Sequence, residues 1–147
     1  MVYAGAIKDV TMKVDILVAA DYANVADGGK LNIMGIFGKI SSNTFPARHA
    51  EMYLVVKISA RPSEYGTKRQ VTVKLMDEDG KIEIVNFSRD IVVPTNDKGE
   101  TVQIHQILRL VDIIFPAAGT YQFSILIDND EKASYPIELE QISAPGK

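Results

Sequence analysis

Apolar and polar residues alternate with a period of two over most of this chain, and turn-forming residues interrupt the alternation at fairly even spacing. That is the pattern of an antiparallel sandwich or barrel, in which each strand turns one face to a core. Lys13 to Ala23 opens the pattern, with Val14, Ile16, Val18, Ala20 and Tyr22 alternating onto one face. A turn at Asp27-Gly28-Gly29 leads into Lys30 to Ile40, with Leu31, Ile33 and Phe37 on one side and Met34, Ile36 and Ile40 on the other. Gly35 and Gly38 inside this stretch predict a bulge or the close approach of another backbone.

Glu51 to Ala60 is the next strand, with Met52, Leu54, Val56 and Ile58 lining its buried face, and it closes at the Arg61–Gly66 loop. Thr67 to Met76 alternates most cleanly: Val71, Val73 and Leu75 point in, and Lys68, Gln70, Thr72 and Lys74 point out. Asp77-Glu78-Asp79-Gly80 is a hairpin turn in which Gly80 can take a positive φ. The apolar phase then slips from Ile82 and Ile84 to Val85, Phe87, Ile91 and Val93, which predicts a bulge near Asn86 or a change of sheet. Pro94 to Gly99 is a polar loop.

Thr101 to Phe115 fits a helical stripe tolerably, yet Ile107 to Phe115 also reads as a β-branched strand apolar on both faces. Strand is preferred, because Pro116 and Gly119 end it abruptly among strand neighbours. Tyr121, Phe123, Ile125 and Ile127 alternate through the next strand, Asp128-Asn129-Asp130 turns the chain, and Ala133, Tyr135, Ile137 and Leu139 line the last. Pro136 lacks the N–H a ladder needs, which predicts an edge position for that strand.

The expectation is therefore an all-β, antiparallel β-sandwich of immunoglobulin-like, Greek-key type with about eight strands. Ala117-Ala118-Gly119-Thr120-Tyr121 sharpens it, since it resembles the tyrosine corner of such sandwiches, where a tyrosine at a sheet-to-sheet crossing bonds nearby backbone. Residues 1–12 read as an N-terminal arm and 13–143 as the sandwich domain.

A wider resemblance rests on Asp21-Tyr22-Ala23, on Gly29-Lys30-Leu31-Asn32-Ile33-Met34-Gly35, on Phe45-Pro46, and on Phe115-Pro116 with Gly119, Tyr121, Phe123 and the Asp128 turn. Together these are similar to a family of small uncharacterised bacterial β-sandwich proteins labelled a domain of unknown function. The resemblance implies a bacterial or phage source and a β-sandwich, and transfers no catalytic residue. Where that family often has cysteine before the Asp-Tyr-Ala step, this chain has Ala20.

Composition removes most chemistry. Cysteine is absent, so disulfides, thiolate nucleophiles and sulfur-ligated zinc fall away. Sixteen basic and nineteen acidic residues, net −3, are interspersed, which argues against a nucleic-acid face. No apolar run reaches the ~18 residues of a membrane span, and Met1 to Met12 lacks the basic-then-apolar order of a secretory signal, so a cytoplasmic location is the default expectation. With two histidines, no nucleophile elbow and no phosphate loop, no catalytic residue, cofactor site or metal site is assigned, and the chain is read as not an enzyme.

What remains is a non-catalytic structural or protein-interaction module that forms a homo-oligomer or takes a protein partner. The apolar segment Val2-Tyr3-Ala4-Gly5-Ala6-Ile7 is one candidate for strand addition to a neighbour's sheet. The alternative is a sandwich module binding carbohydrate or calcium. Candidate binding residues are Arg48 and His49, read as a loop pair able to hold an anion, and Tyr65, which with Tyr53 offers a ring to a sugar. His105 is expected to be solvated or at an edge. For calcium, one end of the sandwich should gather Asp27, Glu64, Asp97, Glu100, Asp128 and Asp130, while Asp77 and Asp79 fall at the other.

Overall fold

A computed structural model describes residues 12–143. The described residues form nine strands: β1 (Met12–Val25), β2 (Leu31–Phe37), β3 (Lys39–Ser42), β4 (Ala47–Ala60), β5 (Lys68–Asp77), β6 (Glu83–Val92), β7 (Val102–Phe115), β8 (Gly119–Ile127) and β9 (Asp130–Gln141). They lie in a four-stranded sheet ordered β2-β1-β4-β7 and a five-stranded sheet ordered β3-β9-β8-β5-β6. All pairs are antiparallel except β3 with β9. The chain crosses between sheets from β2 to β3, from β3 to β4, from β4 to β5, from β6 to β7 and from β7 to β8, with β1–β2, β5–β6 and β8–β9 as hairpins, which is Greek-key wiring.

Inward side chains from both sheets fill the interior: Met52, Leu54, Val56 and Ile58 from β4, Val71, Val73 and Leu75 from β5, Phe123 and Ile125 from β8, and Ile137 and Leu139 from β9. At the β7–β8 crossing, the Tyr121 hydroxyl donates to the Ala117 carbonyl at 2.7 Å while its ring meets Phe115 edge-on at 5.1 Å. The tyrosine corner expected from the sequence is present. The β8–β9 turn puts Asp128 and Asn129 at φ 50° and 69°, the two positive values a two-residue hairpin needs.

Ile107–Phe115 is strand, as preferred from the sequence, within the longer β7. Several other local expectations change. The stretch Lys30 to Ile40 breaks at Gly38, where the chain leaves one sheet for the other, giving nine strands rather than eight. The β5–β6 register shifts between Leu75 and Met76, opposite Val85 and Glu83, so the bulge sits near Ile84 rather than Asn86. β9 is covered by β3 from Glu138 to Gln141 and is an edge only before that, where Pro136 lies. Met12, placed in the arm by pattern, begins β1 and is 4% exposed. The arm proper, residues 1–11, lies outside the described residues.

The largest change concerns β1. Its register with β4 shifts between Val14 and Ile16, so Val14 packs inward with Leu17 and Ala19, and Ile16, Val18, Ala20 and Tyr22 take the outer face. The alternation along Ile16 to Tyr22 is real, but the face it marks is not the one turned to the main core.

Candidate functional site

The outer face of the four-stranded sheet is apolar in the middle, which a sandwich sheet facing water alone would not require. Cross-strand register sets three rows on it: Ile16–Lys57–His105, then Val18–Val55–Ile107, then Ile36–Ala20–Tyr53–Arg109. Val55 and Ala20 are 0% exposed although they belong to this outer face. Beyond Asp21 the β1–β2 hairpin doubles back over the sheet, and Gly29, Lys30, Leu31 and Ile33 wall the same cavity as Ile16, Lys57, Gln103 and His105.

The bend is written at Gly35, opposite Asp21. Gly35 has φ 70°, and a Cβ there would stand 2.5 Å from an Asp21 carboxylate oxygen and 2.9 Å from its Cγ. Only glycine combines that backbone with that approach. Ala23 is buried, whereas the bend is uncovered: Met34 is 63%, Ile36 57% and Tyr22 45% exposed. Tyr22 meets Tyr53 edge-on at 5.1 Å with the rings inclined by 70°. Beside Tyr53 on β7 stand Arg109, ion-paired with Glu51, and the exposed Val111. An apolar surface ringed by paired charges therefore runs from Met34 across Tyr22 and Tyr53 to Val111.

The residues expected to bind behave differently. Arg48 and His49 lie in β4, not in a loop, and point to opposite sides. Arg48 pairs with Asp112 at 2.9 Å in solvent, whereas the His49 ring packs near Phe37 at 5.7 Å with its Nε2 buried and without a partner among the described residues. Asp112, at φ 52° within β7, reverses the inward–outward phase there, so that Leu110 and Ile113 both pack on the core. The Tyr65 hydroxyl donates to the Glu100 carbonyl and ties the Pro94–Glu100 loop to the sandwich, a structural use of that side chain. Tyr53 lies on the outer face rather than between the sheets. His105 sits in the edge strand β7, half-buried.

Of the six acidic residues expected at one end, Glu64, Asp128 and Asp130 share a cavity of about 200 Å³ with Arg69 and Lys132. Arg69 bonds both Glu64, which is 7% exposed, and Asp128, at 2.9 Å, and Lys132 pairs with Asp130 at 3.0 Å. The Gln70 main-chain N–H and the Arg69 guanidinium hold the Asp128 carboxyl below its usual range. Cations of the protein thus already answer these carboxylates. Among the described residues no three His, Cys, Asp or Glu side chains gather to hold a metal ion. At the opposite end Asp77 accepts the main-chain N–H groups of Lys81 and Ile82 at 2.7 and 3.0 Å, the local turn role that acidic residues favour. No helix among the described residues is long and apolar enough to cross a membrane.

These features define an immunoglobulin-like, Greek-key sandwich with a tyrosine corner and one outer face partly roofed by its own hairpin. The chain belongs to the Family of unknown function (DUF6941), whose sequence profile matches residues 15–140. The resemblance drawn from the Asp21-Tyr22-Ala23 and Gly29–Gly35 segments is therefore borne out at the level of the family. No curated protein matches the sequence. Among solved structures, the fold is similar to part of the Pseudomonas fluorescens alkylpurine DNA glycosylase AlkC bound to DNA containing an abasic site analog, at TM-score 0.52 and 12% identity over 88% of this chain and 30% of that one. It is also similar to part of the beta-glucosidase from Listeria innocua in complex with isofagomine, at TM-score 0.50 and 10% identity over 90% of this chain and 16% of that one. At such identities the likeness is one of fold alone, and this chain spans less than a third of either protein.

Proposed function

We propose that this domain is a non-catalytic interaction module that self-associates through the bend of its β1–β2 hairpin and the adjoining sheet face. The observation that carries the reading is the exposure of Met34, Ile36, Tyr22 and Val111 on one side of the molecule. Large apolar side chains gathered on one surface and rimmed by paired charges are the usual composition of a protein contact. The ion pairs Arg109–Glu51 and Arg48–Asp112 would supply the polar rim. A carbohydrate platform is less well supported, since Tyr65 is engaged with Glu100 and the Tyr22 and Tyr53 rings are steeply inclined rather than coplanar.

Light scattering on the purified chain tests the proposal. The expected mass is a multiple of 16.2 kDa that falls to the monomer when Met34→Glu and Ile36→Glu are combined. A monomer for the parent chain, or an unchanged oligomer in the double variant, overturns it. Removing residues 1–11 separates the arm from the face: association that survives deletion belongs to the face.

A further inference from the structure

The cavity under the hairpin differs in charge from the cavities at the two turn ends of the sandwich. The chain carries a net −3, and the two turn-end cavities are lined by Glu64, Asp128 and Asp130 or by Asp77, Glu78 and Asp79. The hairpin cavity, about 450 Å³, has no carboxylate in its wall. Its polar groups are Lys57, His105, Gln103 and Lys30, and its apolar ones are Ile16, Leu31 and Ile33.

Lys57 and His105 stand directly opposite one another on β4 and β7, so their side chains leave the sheet side by side. Both are only half exposed. Neither Lys57 nor Lys30 has an acidic partner among the described residues, and of the two Lys57 is the one partly buried. A partly desolvated ammonium without a counter-charge is unfavourable unless an anion arrives from outside. Its volume lies within the range of small-molecule sites, and an apolar wall with a few convergent polar groups is their common make-up.

From these observations we infer that the cavity binds a small amphipathic anion. Its oxyanion head is held by Lys57 with Lys30, His105 and Gln103, and its short apolar body lies against Ile16, Leu31 and Ile33. Lysine ammonium groups act as point charges and do not by themselves distinguish a carboxylate from a phosphate monoester. The site occupies the roofed half of the outer face, away from Met34 and Ile36, and does not depend on self-association.

Isothermal titration of the full chain with octanoate, octyl phosphate and 1-octanol tests the site. Saturable binding of octanoate or octyl phosphate, weakened roughly tenfold or more by Lys57→Met or Lys30→Met, is expected, because a charge-assisted contact is lost. Lys57→Arg and the remote Lys81→Met should bind as the parent does. Absence of saturable binding by both anions, equal binding of 1-octanol, or unchanged affinity in both lysine-to-methionine variants overturns the inference. Lys30 lies in the exposed turn, so its variant reports even where Lys57→Met disturbs folding.

Discussion

His49 places a ring nitrogen in the interior with nothing to bond among the described residues, and a buried polar atom left unpaired costs stability. Replacing it with an apolar ring of similar shape, His49→Phe, is expected to raise the unfolding free energy by about 1 kcal/mol in urea titrations; a loss of that size would show that Nε2 has a partner. Asp128 gives the opposite case. Its carboxyl is held below the unfolded value of about 3.9, so its contribution to stability is present above that pH and disappears as pH falls through the lower folded value. Asp128→Asn keeps a residue at ease with φ 50° while removing the charge. It should cost roughly 1 kcal/mol at pH 7, a modest figure because the group is partly exposed, and the difference from the parent should shrink below about pH 4. A difference independent of pH would assign the cost to turn geometry instead. That Asp128 would sit in a turn was legible from Asp128-Asn129-Asp130, but Arg69 as its partner was not, since the two meet only through strand pairing.

At the scale of elements, the two devices that shape the molecule are the Tyr121 corner and the Gly35 bend. Tyr121→Phe removes the hydroxyl that satisfies the Ala117 carbonyl and should cost about 1–2 kcal/mol in thermal or urea unfolding; no measurable change would make the corner ornamental. Gly35→Ala forces a left-handed backbone on a residue with a Cβ and pushes into Asp21. It should cost about 1–2 kcal/mol. Selective loss of amide protection in Tyr22–Val25 and Leu31–Met34 would mark the hairpin as the part that loosens, and uniform loss would refute a local hinge. Period-two alternation made seven of the nine strands readable, while β7, apolar on both faces, was assigned from the Pro116 and Gly119 that end it and β3 was merged with β2. It misplaced the face of β1, because one extra residue at Asp15 reverses the phase and because the outer face is itself covered. Two glycines in the Lys30–Ile40 stretch carried the signal of both the bend and the break, without saying which would do which.

At the scale of the whole molecule, the four-stranded sheet is apolar on both sides and the five-stranded sheet chiefly on one. The hairpin folds over the Ile16–Lys57–His105 end of that second side, and the exposed bend beside it is where association is proposed. The cavity beneath the hairpin escaped the sequence for a geometric reason. Lys30, Lys57 and His105 come from three distant segments and meet only after the hairpin has folded over two strands that are neighbours in space. No local motif could announce them. The exposed bend was equally hidden, since Met34 and Ile36 look like ordinary alternation until one knows that the strand has left the core.

Methionine methyl resonances followed through a dilution series probe the association most directly, because the methionines of the described residues fall in different places: Met12 and Met52 buried, Met76 on the five-stranded sheet, and Met34 on the exposed bend. The Met34 signal is expected to shift with concentration while those of Met52 and Met76 stay fixed. A Met34 signal that does not move from the highest to the lowest concentration, or a Met76 signal that moves in its place, would contradict an interface at the hairpin bend.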